Sequence, residues 1–196
     1  MLNKIAIILS KRLLAHNTID EELFDIYVYG FELLFSSLMS TSIIFVVGML
    51  LGRIIETILF LITFVLLRSF TGGYHANSYL LCALVTSLSY GFVLLLSELM
   101  KVSINAYIIL ALVGLVVLLI LAPKEHPNKK LTPKKKIKFK IISIIIFVLI
   151  MIVGIYIKIN SNNGVAKDVI FFALLADFLL LFIKNRRERR LKNEVV

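Results

Sequence analysis

The sequence contains a single cysteine, Cys82, and only three prolines among its 196 residues. One cysteine cannot form a disulfide within the chain, so nothing here requires an oxidising compartment. The prolines all lie in the segment 122–140, which therefore cannot be one continuous helix. Charged residues make up only 17% of the chain and hydrophobic residues 60%, a composition that excludes an ordinary soluble domain.

The hydrophobic residues are collected in six long blocks, as in a helical membrane protein. The blocks cover about 31–51, 54–67, 80–96, 104–121, 141–157 and 169–183. We therefore expect an all-α polytopic protein with about six transmembrane helices, built as a single integral membrane domain over 1–196. The second block has 14 residues and would extend only about 21 Å. It either re-enters the membrane or crosses it as a short span that draws in flanking residues, and we favour the short span.

The N-terminal residues 1–16 have the pattern of an amphipathic helix, in which Lys4 and Lys11 share one face. Such a helix is expected to lie in the membrane interface rather than to cross the bilayer. No secretory signal pattern is visible in it. The next residues, Thr18-Ile-Asp-Glu21, fit a capping box that would start the following helix.

The net charge of +10 comes from basic residues that flank the hydrophobic blocks, which indicates membrane topology rather than nucleic-acid binding. If both termini are cytoplasmic, the cytoplasmic segments hold 18 lysines and arginines and the outside segments hold four. The positive-inside rule then predicts a plasma-membrane protein with residues 68–79 and the basic tail 184–196 on the cytoplasmic side. The basic loop 122–140 and the tail could contact anionic lipid or dock an acidic peptide partner.

A polar break with two glycines, Arg68-Ser-Phe-Thr-Gly-Gly-Tyr-His75, separates the second and third blocks. Irregular backbone at membrane depth is tolerated only where protein buries it or water reaches it. Cys82 follows seven residues after His75, in the expected first turn of the third helix, where the partial positive charge of the helix N-terminus favours a reactive thiolate. A cysteine and a histidine in this arrangement are candidates for a nucleophile and its general base.

Other residues of the break could position a substrate. Gly72 and Gly73 could form an anion-binding nest for the oxyanion of a tetrahedral intermediate. Arg68 could bind a substrate carboxylate or extend to lipid headgroups. The three histidines of the chain are too scattered for a metal site, so we expect no metal and no cofactor.

The same residues also allow plainer interpretations. A free cysteine among leucines is commonly a small packing residue, and a histidine near the membrane edge is commonly structural. An unbroken helix would separate His75 from Cys82 by about 10.5 Å, so proton transfer requires the histidine to fold back over the helix start. No third catalytic residue is evident. Glu32 and Asp177 lie within hydrophobic blocks, where pairing inside the bundle is the safer interpretation, although Asp177 could also orient His75.

The string from Arg68 to Ala76, followed by Cys82, resembles the accessory gene regulator B (AgrB) family of membrane cysteine endopeptidases in Gram-positive quorum sensing. The length, the six blocks and the Ala122-Pro-Lys-Glu-His-Pro127 loop agree with it. The resemblance implies that Cys82 is the catalytic nucleophile and His75 its general base. It implies that Cys82 cleaves the C-terminal part of a short AgrD-like propeptide through a thioester. Ring closure by a cysteine or serine of that peptide would then give a thiolactone or lactone autoinducing peptide.

The resemblance also implies a set of partners. The C-terminal part of the propeptide is acidic in this family, which suits docking on Lys129, Lys130, Lys134, Lys135 and Lys136 of the basic loop. Membrane lipids are the other expected partners, and no nucleic acid is expected. A Gly48-x-x-x-Gly52 spacing permits helix pairing in a homodimer. The alternative function is a non-enzymatic peptide exporter or peptide-binding membrane scaffold that uses the same cavity without covalent chemistry.

Overall fold

The computed structural model describes residues 2–72, 79–124, 132–160 and 166–182. These residues form helices and no strand, which confirms the expected all-α fold. The helices are α1 (Leu2–Ala15), α2 (Phe24–Leu50), α3 (Ile54–Thr71), α4 (Tyr79–Leu99), α5 (Ile104–Leu121), α6 (Pro133–Asn160) and α7 (Ala166–Phe182). A short 3₁₀ helix, Glu21–Leu23, leads directly into α2.

In the part of the chain that the structure describes, five helical segments are long enough and apolar enough to cross a membrane. They are Glu21–Leu50, Ile54–Thr71, Leu81–Leu99, Ile104–Leu121 and Pro133–Asn160. The sixth predicted block corresponds to α7, of which the structure describes 17 residues. Many large aliphatic side chains of the bundle point outward, such as Leu112 and Ile120 on α5. An outer surface of this kind suits contact with lipid chains, and the chain is a polytopic membrane protein.

Helix α3 shows how the short second block gains length. The helix continues past the end of the block at Leu67, through Arg68, to Thr71, and so has 18 residues. The hydroxyls of Ser69 and Thr71 donate to the carbonyls of Val65 and Leu67, which satisfies these polar side chains on the helix itself. At 1.5 Å per residue the helix is about 27 Å long, close to a hydrocarbon thickness of about 30 Å. The flanking residues thus extend the block as expected.

Helix α7 lies in the centre of the bundle, where it contacts α3, α4, α5 and α6. Eleven of its 17 residues are buried. Leu174 and Phe178 belong to a cluster with residues of α5 and α6, whereas Phe172 and Ala173 belong to a second cluster with residues of α2, α3 and α4. A helix that is apolar on all sides needs neighbours on all sides, so the composition of α7 explains its central position.

The helices alternate in direction, and the bundle therefore has two ends. At one of them, named here the Cys82 end, α3 and α5 end while α4 and α6 begin. Lys124, just after α5, donates its backbone N–H to the Thr71 carbonyl at 2.8 Å. Its Nζ donates to the Leu181 carbonyl of α7 at 3.0 Å. These two bonds hold the segment after α5 against the ends of α3 and α7.

The opposite end is joined by two ion pairs. Lys158 Nζ of α6 lies 2.7 Å from Asp168 Oδ1 of α7, and the Asp168 side chain is only 2% exposed. The other carboxylate oxygen of Asp168 accepts the N–H of Val102, between α4 and α5. Arg53, before α3, lies 2.8 Å from the more exposed Glu98 at the end of α4. These contacts fix the order of the helices at the end remote from Cys82.

Helix α1 packs along α2. Ala6 and Ser10 are buried, and the Asn3 side-chain amide donates to the carboxylate of Glu32 on α2. Glu32 thus pairs with α1 through an exposed hydrogen bond, and its expected pairing inside the bundle stays a prediction. Ile5 and Ile8 stay about half exposed, which leaves an apolar face suited to the membrane interface. The interfacial position of α1 itself stays a prediction.

The predicted capping box at Thr18 is wrong. The 3₁₀ helix begins at Glu21, with Asp20 at its N-cap position, and no side-chain capping hydrogen bond forms there. Asp20 is also a typical N-cap residue, and the chain starts its helix two residues later than the Thr18 pattern suggested.

The Gly48-x-x-x-Gly52 spacing serves contacts within one chain rather than a dimer surface. Gly48 is buried against Thr57 of α3, and a Cβ at this position would overlap the Thr57 side chain. Gly52 forms the turn between α2 and α3 with a φ of 67°. The close approach of α3 therefore explains Gly48, and the left-handed turn explains Gly52. The spacing gives no support to the homodimer it suggested.

Candidate active site

A cavity of about 180 Å³ lies at the Cys82 end between α2, α3, α4 and the start of α6. Three of the predicted site residues, Arg68, Gly72 and Cys82, line it together. They come from the end of α3 and the start of α4, which meet at this end of the bundle. The predicted residues Gly73 and His75 lie outside the described residues.

Cys82 is the fourth residue of α4, and its half-buried side chain lines the cavity. This is the first helical turn, as expected. The N-terminal turn of a helix carries partial positive charge, so it is a favourable place for the negative charge of a nucleophilic sulfur. Thr86, one turn deeper in the same cavity, donates its hydroxyl to the Cys82 carbonyl at 2.8 Å. Cys82 therefore lies in the N-terminal turn of α4, and its side chain lines the cavity.

Arg68 contributes positive charge to the same space. Its guanidinium carbon lies 5.2 Å from the centre of the Phe64 ring, a cation–π contact that holds the side chain against α3. Asp177 of α7 is near enough to attract it electrostatically. The Asp177 side chain is buried, and its Oδ2 has no hydrogen-bond partner among the described residues. The expected pairing of Asp177 inside the bundle therefore stays a prediction.

Gly72 shapes the wall of the cavity. It follows α3 with φ 68° and ψ −153°, a conformation that is open essentially only to glycine. Its N–H donates to the Arg68 carbonyl at 3.1 Å and so closes α3. A Cβ at this position would overlap the carbonyl oxygen of Lys124. The Gly72 amide is engaged at the end of α3 and its backbone packs closely on Lys124. The oxyanion nest of Gly72 and Gly73 stays a prediction.

Several residues of the wall were not found from the sequence. Lys124 adds a second positive charge, and Phe139 of α6 closes one side against Phe70, with ring centres 5.8 Å apart. The α2 side of the cavity is mostly polar, with Tyr29, Ser37, Ser40 and Thr41 beside Leu33. The spacing of the α2 residues was a usable signal, because polar side chains three and four residues apart share one helix face. No such spacing in the sequence predicts that Lys124 lines the cavity.

The basic loop enters α6 next to the cavity. Pro133 is the first residue of the helix, a position where proline is well tolerated. Lys134, Lys135 and Lys136 occupy its exposed first turn, about one turn before Phe139. The other two predicted docking lysines, Lys129 and Lys130, lie outside the described residues. Among the described residues, no group of three or more histidine, cysteine or acidic side chains could hold a metal ion.

Known proteins match this chain along most of its length. The sequence profile of accessory gene regulator B matches residues 2–183. An AgrB-like protein of Clostridium perfringens is 26% identical over 188 residues, which cover 89% of this chain and 87% of the relative. The accessory gene regulator protein B of Staphylococcus intermedius is 28% identical, over 72% of this chain and 73% of the relative. No solved structure matches. The chain belongs to the accessory gene regulator B family.

Proposed function

We propose that the protein is a membrane-embedded cysteine endopeptidase of a Gram-positive quorum-sensing system. Its substrate is a short AgrD-like propeptide, which it cleaves in the C-terminal part and helps to cyclise to a thiolactone or lactone autoinducing peptide. One observation carries the proposal. The only cysteine of the chain lies in the first turn of α4 and lines a cavity together with the cation of Arg68. Membership of the AgrB family supports the same function.

In the first step, Sγ of Cys82 attacks the carbonyl carbon of the scissile peptide bond. His75, which precedes α4 in the sequence, acts as the general base that takes the thiol proton. When the tetrahedral intermediate collapses, the C–N bond breaks and His75 gives the proton to the leaving amine. The products are a thioester on Cys82, which carries the N-terminal part of the propeptide, and a free C-terminal fragment.

In the second step, a cysteine or serine side chain of the bound peptide attacks the thioester carbonyl. His75 takes the proton of this nucleophile, the bond to Cys82 breaks, and the leaving thiolate recovers a proton from His75. The thioester conserves much of the energy of the peptide bond, so ring closure requires no cofactor and no external energy source. Cys82 returns to its starting state.

The charges around the cavity suit an acidic substrate. Arg68 and Lys124 line the cavity and can form charge-assisted hydrogen bonds with substrate carboxylates. The exposed first turn of α6, Lys134 to Lys136, together with Lys129 and Lys130 of the same loop, would dock the acidic C-terminal part of the propeptide. Basic residues are concentrated near the Cys82 end, so we place this end and both termini on the cytoplasmic side of the plasma membrane.

Alkylation tests this function, because Cys82 is the only thiol of the chain. The purified protein is incubated with a synthetic propeptide that carries a C-terminal tag, and the released tag fragment is measured by mass spectrometry. We expect release by the untreated protein and none after iodoacetamide has modified Cys82, while added propeptide slows the modification. Undiminished cleavage by fully alkylated protein would contradict the role of Cys82. Absence of cleavage by the untreated protein would support the non-enzymatic exporter or scaffold.

A further inference from the structure

Asp177 is a buried acidic residue in the part of α7 that lies near the Cys82 end. The residue is only 7% exposed, and its Oδ2 has no hydrogen-bond partner among the described residues. A carboxylate that is removed from water is costly unless a positive charge compensates it. The position of Asp177 therefore requires a cation close to it.

Lys124 fixes the level of Asp177 relative to α3. It donates its backbone N–H to the Thr71 carbonyl of α3 and its Nζ to the Leu181 carbonyl of α7. Arg68 lies three residues before Thr71, and Asp177 lies four residues before Leu181. Both helices end at this side of the bundle, so the two residues are about 4.5 Å and about 6 Å from the level of Lys124. Arg68 and Asp177 therefore lie at a similar depth on neighbouring helices.

The packing between α3 and α7 agrees with this register. Leu67, the residue before Arg68, belongs to the same buried cluster as Leu174 and Phe178 of α7. These two α7 residues lie on either side of Asp177 in the sequence. The Arg68 guanidinium is also within range of electrostatic attraction by the Asp177 carboxylate. Register, packing and charge together make Arg68 a counter-charge of Asp177.

Arg68 connects this buried charge to the active site. The arginine lines the same cavity as Cys82, named here the Cys82 cavity, whereas Asp177 does not line it. An arginine at the edge of a membrane can extend toward lipid headgroups instead. The cation–π contact with Phe64 and the neighbouring carboxylate both favour the conformation that keeps the guanidinium in the cavity.

We propose that Asp177 is a positioning residue that holds the Arg68 guanidinium in the Cys82 cavity, where the guanidinium binds a carboxylate of the substrate peptide. Arginine has five N–H donors in a planar fork, so it can contact Asp177 and a second carboxylate at the same time. A propeptide with an acidic C-terminal part supplies that second carboxylate. The inference rests on the proposed function for the identity of this peptide.

Alkylation of Cys82, the only thiol of the chain, tests the position of the Arg68 charge without any cleavage. Two reagents of similar size are compared: iodoacetate, which is an anion, and iodoacetamide, which is neutral. Both react with the thiolate, so the ratio of their rates does not depend on the fraction of thiolate. The ratio reports the positive charge near the sulfur and is measured at low ionic strength, where screening is weak.

Asp177→Asn keeps the shape of the side chain and removes its charge. We expect the iodoacetate-to-iodoacetamide ratio to fall about fivefold, the effect of one unit charge about 4 Å away in water, because the guanidinium leaves the cavity. If Arg68 stayed in place, the loss of a nearby negative charge would raise the ratio instead. Arg68→Gln should lower the ratio to the same extent, and the addition of Asp177→Asn to it should cause no further fall.

Asp168→Asn is the matched control. Asp168 is a buried acid of the same helix, but it pairs with Lys158 at the opposite end of the bundle. This variant should lose thermal stability and keep the wild-type ratio. An unchanged or raised ratio in Asp177→Asn would overturn the positioning role. An equal fall in Asp168→Asn would also overturn it, because the fall would then reflect a general loosening of the bundle.

The midpoint temperature of unfolding is a second measurement, which does not need the single variant Asp177→Asn. Arg68→Gln leaves the buried carboxylate without its cation, which is costlier than the removal of both charges. The double variant Arg68→Gln/Asp177→Asn should therefore unfold at a higher temperature than Arg68→Gln alone. A double variant that is no more stable than Arg68→Gln would show that the two side chains do not pair.

Cleavage kinetics test the bound carboxylate. The substrates are a synthetic propeptide with an acidic C-terminal part and a version in which the acidic residues of that part are replaced by their amides. Asp177→Asn should raise KM for the acidic propeptide about tenfold with little change in kcat, and should leave KM for the neutral version unchanged. An equal rise for both peptides would contradict the binding of a carboxylate. Absence of cleavage by the wild type would contradict the proposed function, whereas the alkylation ratios would still decide the role of Asp177.

Discussion

A protein whose only thiol is moved from position 82 to position 86 is expected to lose propeptide cleavage as completely as Cys82→Ser does. Both side chains line the same cavity, but position 86 is about 6 Å farther along α4. There the thiol is one turn farther from the helix N-terminus than Cys82 is, and farther along the chain from the histidine that precedes the helix. We expect the rate of tag release to fall on the order of 10⁴-fold or more for Cys82→Ser and for the double variant Cys82→Ala/Thr86→Cys.

Alkylation of the relocated thiol is the control for the double variant. Its thiol should still react with a small alkylating reagent, which shows that the cavity is accessible and that the protein is folded. Ser89→Ala is the matched control for the loss of the Thr86 hydroxyl. The Ser89 hydroxyl makes the same kind of bond to the carbonyl four residues earlier, but Ser89 does not line the cavity. Cleavage by the double variant near the wild-type rate would contradict the assignment of Cys82, because any thiol in the cavity would then suffice.

Gly72→Ala is expected to remove most of the activity, because it distorts the wall of the Cys82 cavity. The alanine must adopt φ 68° and ψ −153°, at a cost of about 1–3 kcal/mol. Its Cβ would also overlap the Lys124 carbonyl and push the segment after α5 away from the end of α3. A shift of about 1 Å in the cavity wall can lower a rate about 10²-fold. We expect a loss of this size in tag release, with a lower midpoint temperature of unfolding.

Gly52→Ala is the matched control for this substitution. Gly52 has a nearly identical φ of 67°, but nothing lies within 4 Å of a Cβ there. The variant therefore bears the left-handed backbone strain of about 1–2 kcal/mol without a clash, at the end remote from Cys82. It should lose some thermal stability and keep its rate of cleavage. Equal losses of activity in the two variants would show that backbone strain alone matters and that the Lys124 contact does not shape the site.

The helices could be predicted from the sequence where a hydrophobic block has clear end signals. The fourth block, 104–121, coincides with α5 at both ends, because a polar cap at Ser103 and a following proline mark its limits. The start of the second helix was predicted wrongly, because Thr18 and Asp20 are both suitable N-cap residues and the sequence does not distinguish between them. The packing of Gly48 against α3 could not be predicted either, because the sequence does not reveal that Thr57 of α3 faces it.

The candidate site could be predicted where its residues are local in the sequence. Arg68, Gly72 and Cys82 lie on both sides of one short break, and the antiparallel pairing of α3 with α4 brings them to one cavity. Lys124 is remote in sequence and reaches the cavity only because its backbone binds the end of α3. The hydrogen bond of the Gly72 amide to the Arg68 carbonyl likewise depends on where α3 ends. Two adjacent glycines in a sequence do not predict that position.

Intact-mass analysis of a trapped intermediate tests the role of Cys82 most directly. The propeptide is made with its cyclising cysteine or serine replaced by alanine, so that the second step cannot occur. It is mixed with an excess of purified protein and quenched in acid. We predict that the protein gains the mass of the N-terminal part of the propeptide, that hydroxylamine removes it, and that fragmentation assigns it to Cys82. Release of the C-terminal fragment without any covalent adduct at early times would contradict nucleophilic catalysis by Cys82.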